Sequence, residues 1–129
     1  MMNVQQGSDY KARTNGRFSG ILRWPQFETL WQALAADEAG WYVYEPEKQK
    51  PPAQPLTNKQ MREFLTDTES YLRDLCTEDR CGAVYADSLT KPDFVKIYNP
   101  RLMGGCGMGR APLPQWLISK IPPVSLMDE

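Results

Sequence analysis

The chain has 129 residues, 41% of them hydrophobic, which is enough for one domain with a single core. Its 15 Lys and Arg residues nearly balance its 16 Asp and Glu residues, and the net charge of −1 argues against general binding to nucleic acid or to membranes. The absence of histidine excludes Ser-His-Asp triads, Cys-His dyads, histidine-ligated metals and imidazole acid–base catalysis.

No stretch of the sequence approaches the roughly 18 apolar residues that cross a bilayer, and the polar N-terminal residues do not resemble a signal peptide. Three cysteines, Cys76, Cys81 and Cys106, form an odd number, which is typical of free thiols rather than of a disulfide framework. We therefore expect a cytoplasmic protein that does not associate with membranes.

The first part of the chain divides into a polar arm, a helix and a strand. Residues 1–17 have no periodic apolar positions, which predicts a mobile arm ahead of a single globular domain over residues 18–123. Pro25 suits a first helical position and apolar residues follow it at helical spacing, so we expect a helix from about Pro25 to Glu38. The aromatic and β-branched run from Trp41 to Tyr44 predicts a strand.

A second helix follows a proline-rich connection. The stretch from Glu45 to Leu56 contains four prolines, which predicts a loop over the surface. Thr57 and Gln60 have the spacing of a capping box, and an apolar stripe after them predicts a helix over about Asn58 to Cys76.

The last part of the chain predicts a hairpin and a short helix. The segments Cys81 to Ala86 and Phe94 to Tyr98 are expected to pair as antiparallel strands. Gln115 to Lys120, placed between prolines, is expected to form a short C-terminal helix, and residues 124–129 a tail. An additional strand is expected around Phe18 to Arg23.

The order α-β-α-β-β, followed by the short helix, predicts an α+β fold. We expect a small antiparallel sheet of three to four strands with two main helices packed on one face. Alternation in the last hairpin strand places Val95 and Ile97 towards the helices and leaves the opposite face wetter.

Three segments stand out as a set: Gly40-Trp41-Tyr42-Val43-Tyr44, Cys81-Gly82-Ala83-Val84-Tyr85-Ala86-Asp87 and Val95-Lys96-Ile97-Tyr98-Asn99-Pro100. Together they resemble a group of small uncharacterised bacterial proteins, and the resemblance extends from about Phe18 to Pro123. It implies a domain of unknown function and no particular activity or site.

A glycine-rich segment near the C-terminus is the most unusual local feature of the sequence. Its glycines allow successive backbone N–H groups to approach an anion, and Arg110 could add a bidentate contact. The cationic Arg110 would also favour a reactive thiolate at Cys106. The alternative is a flexible loop without a ligand. The candidate contact residues of this segment are Gly104, Gly105, Cys106, Gly107 and Arg110.

Aromatic residues in the predicted strands give a second candidate surface. If they share the open face of the sheet, they form an aromatic platform for a ligand or a partner chain. The alternative is ordinary cross-strand packing, because strands attract aromatic residues. The residues of this platform are Tyr42, Tyr44, Tyr85, Lys96 and Tyr98.

The cysteine spacing does not favour a metal site. Cys76 and Cys81 are separated by four residues rather than by the two that are typical of zinc knuckles, and no histidine is present. We expect no metal, no cofactor and no catalytic residue. The predicted function is a non-catalytic binding or accessory module whose partner is another protein or a small anionic ligand. The alternative is an anion- or nucleotide-binding regulator, or a thiol-based redox protein that uses residues 104–110.

Overall fold

The computed structural model of the chain describes residues 9–14, 16–20, 22–102 and 113–125. The α+β class is confirmed by two long helices and two antiparallel sheets. In chain order the elements are α1 (residues 9–14), β1 (Leu22–Arg23), α2 (Trp24–Ala36), β2 (Tyr42–Tyr44), α3 (Asn58–Leu75), β3 (Arg80–Cys81), β4 (Val84–Ala86), β5 (Phe94–Ile97), a 3-10 turn (Pro100–Leu102) and β6 (Trp116–Ser119).

The main sheet has four antiparallel strands in the order β2-β6-β5-β4. The predicted hairpin is confirmed as β4 and β5, with Val84 opposite Ile97. The first strand of this hairpin, β4, is shorter than the predicted segment from Cys81 to Ala86, because the chain turns at Gly82 and Ala83. Cys81 therefore pairs with Leu22 in a separate two-stranded sheet of β1 and β3.

The predicted short C-terminal helix is wrong, because this part of the chain is the strand β6. Leu117 and Ile118 are both fully buried and belong to different core clusters, one on each side of the sheet. A segment this short gains little as an isolated helix. As a strand between β2 and β5 it has backbone partners on both sides.

The two main helices form where the sequence predicts them. Thr57 accepts a hydrogen bond from the Gln60 backbone N–H at 3.1 Å, and the Gln60 side chain accepts one from the Thr57 N–H at 2.9 Å, which confirms the capping box. At the other end of α3, the Cys76 N–H donates to the Leu72 carbonyl and closes the helix. No helix in the described part of the chain is long and apolar enough to cross a membrane.

Both helices pack on one face of the sheet. Val95 and Ile97 lie on this side, as predicted, in the same buried cluster as Leu30 of α2 and Leu72 of α3. The indole N–H of Trp31 donates to the Leu65 carbonyl at 2.9 Å and joins α2 directly to α3. This buried bond adds to the apolar packing between the two helices and to the ion pair of Glu28 with Arg73 at 3.1 Å.

The opposite face of the sheet is covered by the N-terminal segment. Tyr10 of α1 is fully buried in a second cluster with Tyr44, Phe94 and Leu117, and its ring lies 5.1 Å from that of Phe94. The prediction of a mobile arm is therefore wrong for residues 9–14. The buried aromatic ring of Tyr10 helps to hold this segment, and such an anchor has no periodicity that the sequence could reveal.

The end of the described chain adds to the same layer. Ile121 and Val124 are half-buried against the second cluster, so packing extends to the first residue of the predicted tail. The sheet is consequently a middle layer, with the helices on one side and both ends of the described chain on the other.

Candidate functional site

The tyrosine-bearing face of the sheet is not the open platform that the sequence suggested. The strand register places Tyr44, Lys96 and Tyr85 in one row across the sheet, so these three residues meet the condition of sharing a face. However, Tyr44 is only 1% exposed beneath the N-terminal layer, and Tyr42 is half-buried. The expectation of an open face is wrong, because residues 9–14 lie on this face and cover it.

Contacts of Lys96 explain how the N-terminal segment is held on this face. Its Nζ donates to the Thr14 carbonyl at 3.0 Å and lies 4.2 Å from the centroid of the Phe18 ring. Burial lowers the pKa of this ammonium group. Lys96 therefore acts here as a packing and hydrogen-bonding residue of the fold.

The remaining two tyrosines contact each other beside the same segment. The Tyr85 and Tyr98 rings meet edge to face with centroids 5.6 Å apart, and burial raises the pKa of Tyr98. A Cβ atom at Gly20 would lie 2.1 Å from the Tyr85 ring, so only glycine allows the backbone to pass this close. These contacts are those of ordinary cross-strand packing, which was the alternative to an aromatic binding platform.

The glycine-rich candidate residues Gly104, Gly105, Cys106, Gly107 and Arg110 lie outside the described residues. Some of the basic residues near this segment in the sequence are described. The sequence from Lys91 to Lys120 is locally basic, with five Lys or Arg residues and one acidic residue, and the Lys120 ammonium in it is paired with Asp37 Oδ2 at 2.6 Å and with Asp93 Oδ1 at 3.2 Å. This lysine is thus already neutralised by its neighbours, which weakens the case for a free basic patch.

The Asp37 pair predicts a pH-dependent contribution to stability. The hydrogen bond from Lys120 lowers the pKa of Asp37, so the pair stabilises the folded state above the unfolded pKa of about 4 and loses this effect as pH falls through the lower folded value. We expect Asp37→Asn, which keeps the acceptor for the Ala39 N–H, to cost at most about 1 kcal/mol near pH 7. Urea unfolding of both proteins from pH 7 to pH 2 should show this difference shrinking in acid. A difference that is constant across this range would contradict the assignment.

The described surface has a groove between α2 and α3 that the sequence analysis missed. Its volume is about 280 Å³. Trp31 and Leu65 form an almost buried apolar floor, and the exposed Ala35 continues it. The lining residues are Trp31, Gln32, Ala35, Arg62, Leu65, Thr66 and Glu69. A second depression of about 360 Å³ adjoins the groove along α3 and shares Arg62 and Thr66 with it.

Most polar side chains on the rim of the groove form no polar contact with the described residues. Within the described residues, the side chains of Gln32, Arg62 and Thr66 make no hydrogen bond or ion pair. Glu69 differs, because it accepts a hydrogen bond from Arg73 Nε at 2.8 Å. The groove therefore combines an apolar floor with one uncompensated cation, Arg62, and with polar groups that are available to a partner.

A pair of thiols lies at the far end of α3. Cys76 follows the last residue of the helix, Cys81 lies in β3, and their sulfur atoms are 3.4 Å apart. Burial raises the pKa of Cys81 to about 12. In the parts of the chain that the structure describes, no group of three or more His, Cys, Asp or Glu side chains could hold a metal ion.

In comparisons with known proteins, no family model, no curated protein and no solved structure matches this chain. The fold and the groove define a three-layer α+β architecture with a groove between its two main helices. The resemblance to small bacterial proteins stays a prediction.

Proposed function

We propose that the protein is a non-catalytic binding module that receives an amphipathic helix of a partner protein in the groove between α2 and α3. The observation that carries this proposal is the apolar floor of Trp31, Leu65 and Ala35 beside a polar rim without partners among the described residues. A cytoplasmic location is part of the proposal, since it suits free thiols at Cys76 and Cys81.

The shape of the groove favours side chains of a helix over a small molecule. Ligand pockets usually bury most of the ligand, whereas four of the seven residues that line this groove of about 280 Å³ are exposed, so it is a shallow depression of the surface. It has room for one or two apolar side chains. A helix laid along two others can insert such side chains at successive turns, and the adjoining depression along α3 extends the contact.

Charge gives the partner a further property. In the groove itself, Arg62 is the charged side chain that has no ion pair within the described residues, whereas the adjoining depression also has Lys59, Glu63 and Asp67 in its lining. Glu69, at the other end of the rim, is already paired with Arg73. The partner helix should therefore carry an acidic residue next to its apolar stripe, placed to reach Arg62.

The experiment uses a photoreactive amino acid at Thr66, on the rim of the groove, and a matched control at the exposed Lys91. The full chain is irradiated in extract from its native cells, and adducts are sequenced by mass spectrometry. We expect adducts from position 66 but not from position 91, joined to a peptide with helical apolar periodicity and an acidic residue. Arg62→Glu in the same background should reduce the yield by at least about tenfold.

Arg62→Glu should change the free energy of unfolding by no more than about 0.5 kcal/mol, because the side chain is exposed and makes no bond within the described residues. A lower crosslinking yield in this variant therefore cannot be due to unfolding. Equal yields from positions 66 and 91 would contradict the proposal. An adduct that is insensitive to Arg62→Glu, or a crosslinked second copy of this chain, would also contradict it.

A further inference from the structure

We propose that Cys76 and Cys81 form a thiol pair that a hydroperoxide oxidises to an intramolecular disulfide. The observation is their position in the fold, with the two sulfur atoms 3.4 Å apart. A disulfide bond is about 2.0 Å long, so the two sulfur atoms need to approach each other by about 1.4 Å. This inference is independent of the groove between α2 and α3.

The fold holds the two cysteines together from both sides. Cys76 closes α3 through its backbone bond to Leu72. Cys81 is fixed by its pairing with Leu22 in the two-stranded sheet. Between them, the indole N–H of Trp24 donates to the Glu78 carbonyl at 2.8 Å and fastens the intervening turn. Because these ties are already made with free thiols, little ordering remains to be done when the bond forms.

Exposure assigns different roles to the two sulfur atoms. Cys81 is fully buried, whereas Cys76 is half-buried, so Cys76 is the more accessible residue of the pair for a small oxidant. Burial also keeps Cys81 protonated at neutral pH. Cys76 is therefore the thiol that reacts first, and Cys81 is the resolving thiol.

The chemistry balances with hydrogen peroxide as the oxidant. The Cys76 thiolate attacks one peroxide oxygen and the O–O bond breaks. Hydroxide departs, and Cys76 becomes a sulfenic acid. The Cys81 sulfur then attacks the Cys76 sulfur, the S–O bond breaks, and the departing hydroxide takes the Cys81 proton to form water. In sum, two thiols lose two electrons and two protons, and one peroxide becomes two waters.

The test uses the full-length chain with Cys106→Ser, so that the third cysteine cannot take part. After treatment with hydrogen peroxide, we expect the intact mass to fall by two hydrogen atoms. Cleavage after Arg73 and Arg80 should then give a disulfide that joins the peptides beginning at Asp74 and Cys81. The yield should not depend on protein concentration, and dithiothreitol should reverse it.

Two single variants separate the roles of the thiols. In Cys81→Ser we expect a sulfenic acid on Cys76 that dimedone traps, whereas in Cys76→Ser the buried Cys81 should stay unmodified at the same peroxide dose. The inference is overturned if unmutated protein links Cys106 instead, or if Cys81 is the residue trapped. It is equally overturned if no linked peptides form at a dose that fully oxidises free dithiothreitol. The last readout does not require the variants to fold.

Discussion

Replacing Tyr10 by alanine should lower the free energy of unfolding by about 3–5 kcal/mol, the loss typical of a buried aromatic side chain. Tyr10 is fully buried and packs with Tyr44, Phe94 and Leu117 on the sheet face opposite the helices. Without its ring, a cavity would open at the point where the N-terminal segment is anchored. Guanidinium unfolding followed by circular dichroism measures this loss.

Tyr10→Phe is the matched control. The Tyr10 hydroxyl is buried without a well-formed hydrogen bond in the described structure, and burial raises its pKa despite the opposing effect of the nearby Ser119 hydroxyl. Removing the hydroxyl should therefore cost less than about 1 kcal/mol or stabilise the protein. If Tyr10→Ala cost no more than Tyr10→Phe, the N-terminal segment would not be a packed layer.

Replacing Leu72 by alanine should cost about 2–5 kcal/mol through the same combination of lost burial and a new cavity. Leu72 is fully buried on the inner side of α3, in the larger cluster between the helices and the sheet. Denaturant unfolding of the variant gives the value directly.

Asp74→Ala serves as the control for Leu72→Ala, because Asp74 lies two residues further along α3 on its exposed side. This change should stay within about 0.5 kcal/mol. Should Asp74→Ala cost as much as Leu72→Ala, the inward face of the helix would be assigned incorrectly.

The sequence predicted the elements whose signals are local. The capping box of Thr57 and Gln60 and the apolar stripe after it define α3 without reference to any other part of the chain. The alternation around Val95 and Ile97 likewise identified the side of the sheet that faces the helices. In both cases the determining interactions lie within a few residues of one another.

The elements that the sequence misassigned depend on distant partners. β6 is a strand because β2 and β5 lie on either side of it, and both are remote in the sequence. Residues 9–14 are held in place because Tyr10 of α1 packs into a cluster built from three strands, and because Arg13 pairs with Asp87 at 3.1 Å. Neither kind of contact leaves a periodic pattern in its own segment.

The candidate site was predicted only in part for the same reason. The sequence offered a shared face for these residues only as a condition; the register meets it for Tyr44, Tyr85 and Lys96, but alternation along a strand does not reveal what covers that face. The groove between α2 and α3 arises from the packing of two helices, so no motif marks it. The available signal was Arg62 and Thr66, which lie one turn apart on the polar side of α3.

The tyrosine-bearing face of the sheet is closed, whereas the groove between α2 and α3 is exposed to solvent and, in our proposal, receives a partner helix. Relaxation enhancement of NMR signals by a soluble gadolinium chelate tests the closed face and the exposed groove in one experiment. We predict strong enhancement at the Arg62 and Thr66 amides and almost none at the Tyr44 and Leu117 amides. Comparable enhancement at all four amides, or stronger enhancement at Tyr44 than at Thr66, would contradict the claim.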